Sequence, residues 1–180
     1  MSRSGQKIHT MEWFQRKFDF NLPLWMYPNV VERLRGAPAR LEDRVREIPA
    51  ESLTRRVGDP WSIQENIGHL WDLEPLFAGR VEDFVAGLGE LRPADLENRK
   101  THEANHNARR VTDLLLEFRQ TRMQTIQRLD ELGEDVVGRT AQHPRLQQPM
   151  RLLDSVFFMA EHDDHHLAKI TELVDDFRNP

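Results

Sequence analysis

The sequence predicts an all-α fold, a four-helix bundle. Three observations carry this expectation. Apolar residues recur at helical steps over long stretches, turn residues cluster between those stretches, and no segment alternates apolar and polar residues as a half-buried strand does. The 180 residues fit one domain. Residues 1–10 read as a flexible leader and residues 11–180 as the single bundle domain.

The first helix is expected within residues 11–48, with Pro23, Pro28 and Pro38 breaking or kinking it. The second begins near Trp61. Its "SIQE" is a capping box, in which the Ser62 hydroxyl accepts from a free backbone amide and Glu65 reaches back to the cap. Ile63, Ile67, Leu70, Phe77, Val81, Phe84 and Leu88 then share one face. The third helix runs from about His106 to Leu132. Val111, Leu114, Leu115, Phe118, Met123, Ile126 and Leu129 are its apolar positions, and Gly133 suits its end. The fourth follows Pro149, read as a first-turn residue, and reaches about Asp176. Residues 49–60, 87–100 and 133–149 connect them.

Composition narrows the function. Hydrophobic residues are 38%, enough for a bundle core, and charged residues are 31%. The net charge is −5, and basic residues interleave with acids, as in "VERLRGAPARLEDRVREI". That pattern suits a solvated helix face and argues against nucleic acid as a partner. No run of about 18 apolar residues suggests a membrane span. The first residues lack the apolar core of a secretory signal, so a cytoplasmic location is compatible. With no cysteine there is no disulfide framework, no thiolate metal site and no protein thiol nucleophile.

Chemistry concentrates in "AEHDDHHLAKI", residues 160–170. Leu152, Val156, Met159, His162, His166, Ile170 and Leu173 follow one another at steps of three or four, so His162 and His166 continue the inward face, one above the other. His165 falls with Glu161, Ala168, Lys169 and Glu172, toward the expected solvent edge. Two readings are open for the inward pair: hydrogen-bonded core residues, or two ligands of one divalent ion. Unpaired burial costs roughly 1–3 kcal/mol per polar group, and His-x3-His on a helix presents two imidazoles to a metal. A third ligand is available in His69 of "WSIQENIGHLWDLE", at the edge of the second helix's apolar stripe. Its other reading is a boundary histidine.

Rival motifs fail. A zincin helix needs Glu after the first histidine, where this chain has Asp163. A ferritin-like di-iron site needs Glu-x-x-His on two helices, and only Glu103 with His106 fits. His102 and His106, in the polar "THEANHN", are expected to be solvated or capping, and His143 to line a cleft. Trp13, Trp25 and Trp71 read as core or interface residues, core being the default.

"WSIQENIGHLWDLE", followed by "VTDLLLEFRQTR", "HPRLQQPMRLLD" and "EHDDHHLAKI", resembles the DinB-like, damage-inducible superfamily over residues 15–177. That family includes thiol-dependent S-transferases and isomerases using bacillithiol or mycothiol. The resemblance implies an up-down-down-up bundle, often a homodimer, and a divalent metal, Zn or Ni, held by three histidines. By position these are His69, His162 and His166. The family often has a further histidine where this chain has Asn66, which implies a different surrounding for the ligands.

Three neutral imidazoles leave the metal's full charge and an open position, where a bound water's pKa falls to about 7 and a thiol is deprotonated. The expected function is therefore a metal-dependent S-transferase that adds a low-molecular-weight thiol to an electrophile. Asp72, Glu74 and Asp163 are expected to orient ligand imidazoles or simply to be solvated. The alternatives are a metal-dependent hydrolase and a non-catalytic metal-binding protein of the stress response.

Overall fold

The structure, a computed structural model, describes residues 8–57 and 61–178. Residues 1–7 of the expected leader and 58–60 of the first connection lie outside them. In chain order the helices are α1 (Tyr27–Val45), the short α2 (Ala50–Leu53), α3 (Ile63–Val85), α4 (Arg99–Glu103), α5 (Val111–Asp130), the short α6 (Glu134–Val137) and α7 (Leu152–Arg178). A hairpin of β1 (Thr140–His143) and β2 (Gln148–Arg151) precedes α7.

The chain is an all-α four-helix bundle built from α1, α3, α5 and α7. The core has two ends. One gathers Val30, Val31 and Leu34 of α1 with Phe77, Val81 and Phe84 of α3, Ile126 and Leu129 of α5, and Val156 and Met159 of α7. The other gathers Leu41 and Val45 with Ile63, Ile67 and Leu70, Leu114 and Phe118, and Ile170 and Leu173. So α1 and α7 run one way and α3 and α5 the other, which is up-down-down-up. Around the bundle α1 packs on α5 and α7, and α3 packs on the same two.

A buried ionic layer divides the two ends. Arg122 of α5 is fully buried and donates through Nε to Glu74 Oε1 at 2.9 Å and through Nη1 to Asp163 Oδ2. Glu74 and Asp163 are themselves fully buried. Neither carboxylate touches a ligand-candidate imidazole: Asp163 gives both oxygens to Arg122, and Glu74 gives Oε1 to Arg122 and Oε2 to the Thr125 hydroxyl at 3.3 Å. This corrects the expected orienting role for Glu74 and Asp163. Burial alone would lower the Arg122 pKa, but the two carboxylates outweigh it and hold the guanidinium charged.

Arg122 also explains why Pro38 does not end α1. Proline has no N–H, so the carbonyl four residues earlier loses its helical donor. That carbonyl is Leu34 O, and Arg122 Nη1 donates to it at 3.3 Å. Pro28 sits in the first turn of α1, where the missing donor costs nothing.

The α3 cap is as expected. Glu65 N donates to Ser62 Oγ at 3.1 Å, and Ser62 N to Glu65 Oε2 at 2.8 Å. Other boundaries shift. Helix α3 ends at Val85, which leaves Leu88 exposed beyond it. Residues His106–Ala108 form a separate 3-10 turn before α5. The hairpin was not expected. Its strands have four residues each, with Thr140 opposite Arg151 and Gln142 opposite Pro149. Only Ala141, His143 and Met150 are buried there, too few to register as alternation. Pro149 therefore lies in β2 and not in a helical first turn. Instead Asp154 Oδ2 accepts from Arg151 N at 2.9 Å at the start of α7.

The hairpin and the 87–98 loop are tied together: Leu91 N donates to Gln142 O at 3.0 Å, and Gln142 N to Gly89 O at 2.8 Å. The N-terminal segment crosses α7. Thr10 N donates to Glu172 Oε1 at 2.8 Å, and the Trp13 ring lies 5.0 Å from Phe158 and 4.9 Å from His162. Among the described residues no helix is long and apolar enough to cross a membrane.

Candidate metal centre

His69 of α3 and His162 and His166 of α7 come together. One ligand atom from each lies within 4.8 Å of the others, and all three side chains are buried. They form part of the wall of a cavity of about 420 Å³ between the bundle, the N-terminal segment and the hairpin. His69 is 3% exposed, so it is inside and not a boundary residue.

Hydrogen bonds assign two tautomers. Thr101 Oγ1 donates to Asp72 Oδ2 at 2.9 Å, so its oxygen is left to accept from His69 Nδ1 at 3.0 Å. His69 then carries its proton on Nδ1 and keeps a lone pair on Nε2. Asn66 Nδ2 donates to Ser62 O at 2.8 Å, so Asn66 Oδ1 accepts from His166 Nδ1 at 2.8 Å. His166 also keeps its lone pair on Nε2. Asn66 thus holds a ligand-candidate ring. His162 Nδ1 is buried without a hydrogen-bond partner among the described residues.

The electrostatics keep all three rings neutral. Burial draws His69 down to about 4, with Asp72 opposing. His162 and His166 are drawn well below the usual histidine value by burial and by the neighbouring histidines. Neutral imidazole is the form that binds a cation. The donor set, the unpaired His162 nitrogen and the two assigned tautomers fit a divalent ion.

Behind His69 lies a relay that sequence reasoning caught only in part. Asp72 acts on His69 through Thr101, and its Oδ2 also takes His106 Nε2 at 2.8 Å. Burial works against the Asp72 charge, but His106, Thr101 and Lys100 outweigh it and keep the carboxyl ionised. His106 is 1% exposed, which corrects the expected solvated role. It reaches Asp72 because Gly68 leaves room: a Cβ there would lie 2.3 Å from the His106 ring. Gly68→Ala is expected to displace that ring and cost about 1–3 kcal/mol. Urea unfolding measures it; a loss below about 0.5 kcal/mol would mean that the ring is not fixed.

His165 is another correction. It is 8% exposed, with its ring 5.6 Å from Trp13 and 5.2 Å from His166, because the N-terminal segment covers that side of α7. His102 remains exposed near Trp61, and His143 lines the cavity as expected. Trp13 also lines the cavity, and Trp71 is half-buried at the core edge. Trp25 is 71% exposed, so the core reading fails for it.

Solved structures share this fold. YfiT from Bacillus subtilis, described as a probable metal-dependent hydrolase with an unusual four-helix bundle topology, superposes with a TM-score of 0.77 at 20% identity. The match covers 90% of this chain and 93% of YfiT. A mycothiol-dependent maleylpyruvate isomerase superposes with a TM-score of 0.64 at 11% identity, over 87% of this chain and 62% of that protein. No curated protein matches by sequence. The DinB superfamily matches residues 33–170, from α1 through the His162–His166 pair. On that match over most of its length, the chain belongs to the DinB superfamily.

Proposed function

We propose that the protein is a metal-dependent S-transferase that adds a low-molecular-weight thiol to an electrophile in the cavity. His69, His162 and His166 would hold the ion, Zn or Ni. The observation that carries this is the three neutral imidazoles gathered on one cavity wall. The likeness to a mycothiol-dependent enzyme supports a thiol, and the absence of cysteine fits sulfur arriving with the co-substrate.

A divalent cation bound there supplies Lewis acidity and lowers the pKa of a coordinated thiol or water. The chain does the rest. Thr101 and Asn66 hold two rings with Nε2 free, and Asp72 anchors Thr101. The Trp61 ring lies 4.5 Å from His69, Trp13 4.9 Å from His162 and Phe77 6.0 Å from His162. These aromatic faces exclude water and strengthen interactions within the site. A homodimer acting in the cytoplasm, in the response to electrophile stress, belongs to the same reading.

The description of YfiT favours hydrolysis as the second reading. The metal-loaded protein should be assayed with bacillithiol, mycothiol or glutathione and a model electrophile such as monobromobimane. Alongside, p-nitrophenyl esters should be tested without thiol. Turnover dependent on both thiol and metal supports transfer. Ester turnover alone establishes the hydrolase. Thr101→Val removes the acceptor for His69 Nδ1, and losses of about 10–100-fold in metal affinity or activity are expected.

A further inference from the structure

The cavity has a second polar locus, away from the histidine triad, built from Arg80, His143 and Arg145. Arg80 is 3% exposed and, among the described residues, forms no salt bridge with a carboxylate. Its Nε donates to Arg92 O at 3.1 Å, while the nearby Asp83 is taken by Arg92 at 2.6 Å. Arg80 Nη2 and Arg145 Nη2 are both buried without an acceptor among the described residues. Arg145 lies over Phe14 and Phe158, at 5.2 and 5.6 Å from their ring centres.

His143 makes the surplus of donors sharper. Its Nδ1 accepts from the Arg145 and Leu146 amides, each at 3.2 Å, so the ring proton resides on Nε2. That Nε2 faces Arg80 Nη1 at 3.1 Å. Two donors therefore confront each other with no acceptor between them. Together with the two idle Nη2 groups, the locus offers several buried N–H donors and two positive charges. Buried unpaired donors are costly, most of all charged ones.

We propose that Arg80, His143 and Arg145 form a subsite for a carboxylate, so that the molecule entering the cavity is an acidic small molecule. The inference rests on the metal-site reading only for what happens at the far end of that molecule. A carboxylate has two oxygens with about four lone-pair directions, which matches these donors. A phosphate dianion matches less well, because Glu12 and Asp95 lie on the same cavity wall. Glu12 reaches Lys169 Nζ at 3.5 Å, and Asp95 accepts from Glu97 N and Arg99 N, so neither acid neutralises the arginines.

Geometry links the two loci. His69 and Arg80 are eleven residues apart on α3, about three turns and roughly 16 Å along one face. The Arg80 side chain leans back toward the helix N-terminus and shortens that span. Phe158 and Trp13 pave the way: His143 to Phe158 is 5.4 Å, Phe158 to Trp13 5.0 Å and Trp13 to His162 4.9 Å. An elongated acid with an apolar middle fits this path.

The test is calorimetric titration with benzoate, benzamide and phenyl phosphate, on the protein as purified and on His162→Ala, Arg145→Gln and Arg80→Gln. Benzoate is expected to bind at least tenfold more tightly than benzamide. It is expected to bind His162→Ala as it binds wild type, and to weaken at least tenfold in Arg145→Gln. Arg145 lies in the turn of the hairpin, so that variant keeps the test open if Arg80→Gln fails to fold. Equal binding of benzoate and benzamide, or no benzoate binding at all, would overturn the subsite. So would loss in His162→Ala with retention in Arg145→Gln, which assigns the carboxylate to the triad. Tighter binding of phenyl phosphate would overturn the choice of carboxylate. Failure of the metal reading leaves the benzoate result in His162→Ala untouched.

Discussion

Arg122→Met is expected to destabilise the protein by about 3–5 kcal/mol, because it leaves two buried carboxylates without their cation. Glu74 and Asp163 are fully buried, and burial already pushes both carboxyls up against the pull of Arg122. Without the guanidinium they must take up protons or draw in water. The variant also strips the donor from Leu34 O, the carbonyl that Pro38 leaves unpaired in α1. The effect should therefore exceed that of a simple shortening in the core. Arg122→Met combined with Glu74→Leu and Asp163→Leu should recover most of the loss, since an apolar layer of similar volume replaces the ionic one. Urea unfolding of the wild type, the single variant and the triple variant measures this. A loss below about 1 kcal/mol for the single variant would contradict the ionic layer.

Acid should destabilise the metal-free protein in a window set by its histidines. The sign follows from the direction of the shifts. Above about pH 6.5 neither folded nor unfolded histidine binds a proton, and the term is zero. Between about 6.5 and 4 the unfolded chain takes protons that the folded one refuses. Stability then falls as pH falls, by about 1.4 kcal/mol per pH unit for each such histidine. His69 and His143 are both drawn down to about 4, chiefly by burial. His69 alone should cost about 3 kcal/mol by pH 4. His162 and His166 are drawn well below the usual histidine value, chiefly by burial, and add to the loss in the same direction. The Glu65 carboxylate acts in a lower range: Arg56 holds it down at about 2, so its contribution is lost as pH falls from about 4.5 toward that value. Thermal melts of chelator-treated protein from pH 8 to 4 test this. A midpoint constant down to pH 5 would contradict the buried neutral triad.

The helical register made much of this site legible. His162 and His166 lie on the same face as Val156, Met159 and Ile170, and that face is inward. The ionic layer carried the same kind of signal. Arg122 lies four residues from both Phe118 and Ile126, and Glu74 four from Leu70, so each occupies a core position of its own helix. Long charged side chains at helical spacing usually mark solvated faces, and that expectation hid the layer. The Thr101–His106 relay was hidden for another reason. Its residues occupy a short helix and a 3-10 turn with no apolar periodicity, and only packing brings them beneath Gly68. His165 follows its helix outward, and the N-terminal segment then buries it. No periodicity within α7 reveals a cover supplied from elsewhere in the chain.

On this reading His69, His162 and His166 form one cation site. Elemental analysis of the wild type and of His162→Ala, after exchange into metal-free buffer and reconstitution with Zn²⁺ or Ni²⁺, tests it most directly. About one divalent ion per chain in the wild type, lost in the variant while it remains folded, is the predicted result. A wild type that binds neither ion, or a variant that retains a full equivalent, would contradict it.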